Sequence, residues 1–110
     1  MGRTSLGEFE KLVMLAVLHL GPKAYGATII RELERRTGRR SSSGAVYVAL
    51  RRLQKKGLVS SRLGDPTSTR GGRPKRFYTV ERAGRDCLRQ ALEDWSAMVR
   101  GLEDTLEQTS

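Results

Sequence analysis

Residues 43–57, SGAVYVALRRLQKKG, decide the fold. Val46, Leu50 and Leu53 recur at intervals of four and three, which puts them on one face of a helix. The other faces carry Tyr47, Val48, Arg51, Lys55 and Lys56, and the stretch contains no acid. Ser41, Ser42 and Ser43 stand at its start, where a hydroxyl caps free backbone N–H groups, and Gly57 supplies a stop. Such a helix rests its apolar seam on a core and turns positive charge outward. Downstream, residues 69–76 read TRGGRPKR, with the cations Arg70, Arg73, Lys75 and Arg76 and no anion. The flanking segments 58–63 and 75–80 read as strands, and 64–74 as a glycine- and proline-broken loop, so this block is the tip of a β-hairpin.

Charge follows the same division. The chain has 110 residues and a formal net charge of +9. Residues 1–80 hold 17 Lys/Arg and 5 Asp/Glu, whereas residues 81–110 hold 4 and 7. From Arg35 to Arg76 there are 13 cations and a single anion, Asp65. A segregated positive block attracts a polyanion, of which nucleic acid is the common one. A short positive helix followed by a positive hairpin is the layout of a winged helix-turn-helix. In that fold the helix enters the major groove of double-stranded DNA and the hairpin touches the flanking backbone.

The remaining segments fit one domain of that kind. Residues 1–7 read as a loose arm, residues 8–80 as the winged-helix unit, and residues 81–110 as an appended helix. Helix 1 is expected over about 8–20, stopped by Gly21-Pro22, with the run 12–18 apolar on all sides. Helix 2 is expected over about 25–37, with Ile29, Ile30 and Leu33 inward, Glu32 outward and Gly38 as its stop. In the last segment Leu88, Leu92, Trp95, Val99, Leu102 and Leu106 are spaced 4, 3, 4, 3 and 4, a heptad seam read as one continuous helix. A seam with no further layer to cover it points to a second subunit. The expected dimer contacts are Leu12, Leu15, Leu88, Leu92, Trp95, Val99, Leu102 and Leu106. The fold class is therefore mainly α with a small β-hairpin.

Enzyme chemistry finds no support: there is no Ser/His/Asp set, phosphate-binding glycine loop or paired catalytic carboxylate arrangement. One histidine, His19, and one cysteine, Cys87, make no metal site, and both read as structural. No cofactor is expected. A single cysteine suits a reducing cytosol, and no apolar run is long enough to span a bilayer, so the expectation is a cytoplasmic protein without membrane contact.

Three segments in order resemble the PadR-like family of bacterial transcription regulators. They are Tyr25-Gly26 with Ile29; the run 44–50 with Arg52-Leu53 and Gly57-Leu58-Val59; and the run 72–78 leading to Gly84. Two positions depart from the family pattern: Val48 stands where proline is frequent, and Glu81 where a capping threonine is frequent. The resemblance implies a dimeric repressor on a palindromic operator, released by a small molecule or other signal. It also implies the short class of the family, with a single C-terminal dimerisation helix, and a flat aromatic effector beside a tryptophan of that helix. Here that tryptophan is Trp95, with Asp94 and Met98 near it on the helix.

The expected DNA contacts are Ser42, Ser43, Tyr47, Val48, Arg51, Lys55, Lys56, Arg70, Arg73, Lys75 and Arg76. Arg51 is the leading base reader, since arginine pairs bidentately with guanine, whereas Lys55 and Lys56 suit phosphates. Two other readings remain open. One is a ligand-binding sensor, the other a winged-helix protein-interaction module, each with weak or non-specific nucleic-acid binding.

Overall fold

The computed structural model describes residues 6–65 and 74–108. Its elements, in chain order, are α1 (Glu8–Leu20), a 3-10 turn (Gly21–Lys23), α2 (Gly26–Thr37), α3 (Ser43–Lys55), β1 (Val59–Leu63), β2 (Arg76–Val80), α4 (Arg82–Val99) and α5 (Glu103–Glu107). The core forms where the apolar faces of the first three helices meet the inner face of the hairpin. Val13, Met14 and Val17 of α1 pack with Ile29 and Leu33 of α2 and with Val46, Leu50 and Leu53 of α3; all are at most 4 % exposed. Leu58, Val59, Tyr78 and Val80 close the base.

Glycine stops set the turns. Gly38 ends α2 at φ +72° and Gly57 follows α3 at φ +77°, a backbone region that side chains with a Cβ rarely enter. The Leu58 N–H then donates to the Leu53 carbonyl at 3.0 Å and turns the chain into β1. The strands are antiparallel, with Val59 opposite Val80 and Ser61 opposite Tyr78. A third segment joins this sheet just before α2. The Tyr78 N–H donates to the Ala24 carbonyl at 2.9 Å, and Tyr25 forms a bridge with Phe77.

The structure corrects the sequence expectation in three places. Glu32 is buried rather than outward, because it accepts hydrogen bonds from Arg35, at 2.8 Å, and from Arg36 on the following turn. His19, expected at the end of a buried helix, is exposed. The last helix is not continuous to the end. Arg100 leaves the helical region (ψ 127°), Gly101 takes φ +89°, and the Gly101 N–H donates to the Glu103 carboxylate at 2.9 Å before α5 begins. The heptad seam is therefore interrupted between Val99 and Leu102. Glycine is a poor helix former with ready access to positive φ, and the break falls there.

Gly84 fixes α4 to the core. A Cβ at this position would meet the Leu58 carbonyl oxygen, Val80 Cγ1 at 2.8 Å and Met14 Sδ at 3.1 Å. Gly84→Ala is expected to destabilise the fold by about 1–3 kcal/mol, the usual cost of overpacking. Urea unfolding checks this; an unchanged midpoint would show that α4 docks more loosely.

Candidate nucleic-acid interface

Burial of Val46, Ala49, Leu50 and Leu53 leaves the opposite side of α3 outside. Ser43, Tyr47, Val48, Arg51 and Lys55 are all exposed there. Ser42 is the N-cap, its hydroxyl accepting from the Ala45 N–H at 3.0 Å, so its side chain is engaged in capping. Tyr47 is 45 % exposed. Its phenol nevertheless reaches α2, with the hydroxyl seated where a Cβ on Gly26 would be. At the far end of α3, Gln54 Nε2 and Arg76 Nη1 each donate to the Ser61 hydroxyl at 3.0 Å, which ties helix and hairpin together.

Lys56 lies differently from Arg51 and Lys55. Its ammonium bonds both oxygens of Glu10 on α1, at 3.0 and 3.1 Å. Glu10 also accepts from the Gly7 N–H at 2.9 Å and is buried. Burial pushes its carboxyl pKa up, but the Gly7 N–H, Lys56 and Arg52 together outweigh burial and hold the group below the usual carboxylate value. Lys56, expected as a phosphate contact, thus also braces the end of α3 against α1 while remaining exposed.

At the base of the wing, Lys75 Nζ stands 3.3 Å from the Tyr25 hydroxyl and 4.4 Å from the centre of its ring. The Tyr25 and Phe77 rings meet edge to face at 5.5 Å, and the Arg62 guanidinium lies 5.2 Å from the Phe77 ring centre. The hydrogen bond from Lys75, helped by Arg31, lowers the Tyr25 phenol pKa despite partial burial. Arg76 is exposed, whereas the expected contacts Arg70 and Arg73 lie outside the described residues.

The residues assigned to an effector do come together. Asp94, Trp95 and Met98 line one groove with Leu6, Lys11 and Cys87. Asp94 accepts from Gln90 Nε2 at 3.1 Å. Trp95 also borders a second groove, with Leu12, Leu15, Leu88 and Leu92. Trp95 is 67 % and Met98 77 % exposed in the single chain. Among the described residues, no group of three or more His, Cys, Asp or Glu side chains could hold a metal ion, and no helix is long and apolar enough to cross a membrane. Sequence reasoning missed Glu10, Tyr25 and Arg62 as parts of this arrangement. Only Tyr25 carried a signal, as part of the Tyr-Gly pair before helix 2.

Residues 14–90 match the family described as "Transcriptional regulator PadR-like family". No curated protein matches the chain. Among solved structures, a PadR family transcriptional regulator from Eggerthella lenta is 27% identical, covering 93% of this chain and 88% of its own, with a TM-score of 0.68. A PadR family transcription regulator from Clostridium difficile is 24% identical, covering 91% and 99%, with a TM-score of 0.70. A PadR-like transcription factor from Bacteroides fragilis is 24% identical, covering 88% of each chain, with a TM-score of 0.71. The latter two likenesses concern the fold alone.

The Glu10–Lys56 pair makes a pH-dependent contribution to stability. The folded carboxyl has the lower pKa, so its contribution is present above the unfolded value, about 4.3, and is lost as pH falls through the folded one. Glu10→Gln is expected to cost about 1–2 kcal/mol at pH 7, given the pair's partial exposure. In urea titrations the gap from wild type should shrink below about pH 4. A gap that stays constant down to pH 3 contradicts the pairing.

Proposed function

This chain belongs to the PadR-like family of transcriptional regulators, and on that premise we propose a homodimeric repressor that binds double-stranded operator DNA by sequence. The observation that carries the reading is the exposed face of α3, where Ser43, Val48, Arg51 and Lys55 are exposed and Tyr47 is half-exposed with its hydroxyl against Gly26. Arg51 is the base reader, and its planar fork suits guanine O6 and N7. Lys55, Ser43 and the Ser42-capped helix start suit phosphates, while Arg70, Arg73, Lys75 and Arg76 of the wing follow the flanking backbone. Val48 offers an apolar contact for a thymine methyl group.

The second subunit is placed on α1 and α4. Leu15, Leu92 and Trp95 are 42 %, 65 % and 67 % exposed and border one groove, an apolar surface of the kind that marks interaction sites. A two-fold axis there would pair the grooves beside each Trp95, so that a flat aromatic effector held near Asp94 and Met98 alters the separation of the two recognition helices. The protein acts in the cytoplasm and needs no cofactor. A second reading, a sensor with weak DNA binding, is favoured by the exposure of Trp95 and Met98.

Fluorescence anisotropy separates the readings. The duplex upstream of the protein's own gene should bind far more tightly at physiological salt than a shuffled duplex of equal composition. Arg51→Ala should narrow that gap by about 1–3 kcal/mol while weakening the shuffled duplex little. Equal binding of both duplexes, collapsing with salt, contradicts autoregulation through sequence reading. Quenching of Trp95 by aromatic compounds without any duplex preference favours the sensor.

A further inference from the structure

The start of α2 lies between the recognition helix and the wing, and it carries a cluster of donors. Tyr25 is the N-cap of α2; its ring is fixed edge-on by Phe77 and covered by the Lys75 ammonium. Its hydroxyl oxygen accepts from Lys75 at 3.3 Å, and the charge of the exposed Arg31, on the next turn of α2, acts on the same phenol. With its oxygen engaged by Lys75, the hydroxyl has its own proton to give. Neither Lys75 nor Arg31 forms an ion pair with a carboxylate among the described residues. Next to Tyr25, Gly26 lies under the hydroxyl of Tyr47 from α3. The first N–H groups of α2, which have no partner inside the helix, point the same way as its positive dipole end.

We propose that Tyr25, Lys75 and Arg31 form a seat for one backbone phosphate of double-stranded DNA, beside the groove that α3 enters. The proposal rests on the DNA-binding reading above. It gives Tyr25 and Arg31 a role in binding, and it makes Lys75 part of a built site rather than a loose wing cation. A phosphate contact carries no sequence information, so the seat acts alike on operator and unrelated DNA.

That property makes the seat testable without the operator. A fluorescent 24-base-pair duplex of random sequence is titrated with wild type, Tyr25→Phe, Lys75→Gln and Arg31→Gln across a salt series. Lys75→Gln and Arg31→Gln should each flatten the slope of log K against log salt, and the double variant should flatten it by about 0.9 in total, the signature of one lost phosphate contact. Tyr25→Phe should weaken binding about threefold to tenfold with the slope unchanged, as expected for one lost hydroxyl hydrogen bond. Arg31 is exposed and lies off the wing, so its variant keeps the fold and separates a phosphate seat from mere wing positioning. An unchanged slope in Arg31→Gln, or wild-type affinity in Tyr25→Phe, overturns the seat while leaving DNA binding intact. Failure of the wild type to bind the duplex overturns both.

Discussion

Burial of one side of α3 governs the rest of the structure. Val46, Leu50 and Leu53 are at most 1 % exposed, and burying each such side chain is worth about 1.5–3 kcal/mol. Helical geometry then leaves no choice about the opposite side. Once these three residues face Val13, Met14 and Val17, the side chains of Tyr47, Arg51 and Lys55 must face water or a ligand. The cationic surface is a consequence of the core. No single ion pair holds it outward.

The orientation of that surface is set by smaller contacts at its two ends. At the start of α3, Tyr47 closes over Gly26, and the neighbouring Tyr25 reaches the wing through Phe77 and Lys75. At its end, Glu10 holds Lys56 to α1, while Ser61 receives Gln54 from the helix and Arg76 from β2. Such contacts are each worth about 1 kcal/mol net. Their value lies in geometry, because two binding elements on one rigid frame engage a duplex without a further ordering cost. Gly84 extends the frame to α4, bringing that helix against Leu58 and Val80 beneath the hairpin.

Much of this was legible in the sequence, for identifiable reasons. The four-and-three spacing in α3 and the glycines at 38 and 57 report local constraints, and the structure has them where the pattern put them. Glu10 and Lys56 are 46 residues apart, and nothing local in either segment announces the pair. Glu32 reads as a surface acid because a helical wheel cannot reveal that Arg35 and Arg36 will fold back over it. The heptad count passed across Gly101 because spacing is blind to one residue of broken backbone. The glycine itself was the signal, followed at the right distance by Glu103 to accept its N–H. Tyr25 stood in a recognisable motif, but its tie to Lys75 exists only once β2 pairs beside it.

Opposed charge along the chain completes the account: the head is basic, and the last 30 residues hold 7 acids against 4 bases. A polyanion should therefore meet the helix–wing side and avoid α4 and α5. Amide NMR spectra recorded while a double-stranded DNA is titrated into the protein test this most directly. Shifts are expected at the N–H groups of residues 43–56, 25–28 and 75–76, with those of 92–107 little moved. Shifts concentrated on α4 and α5, with α3 unperturbed, would contradict it.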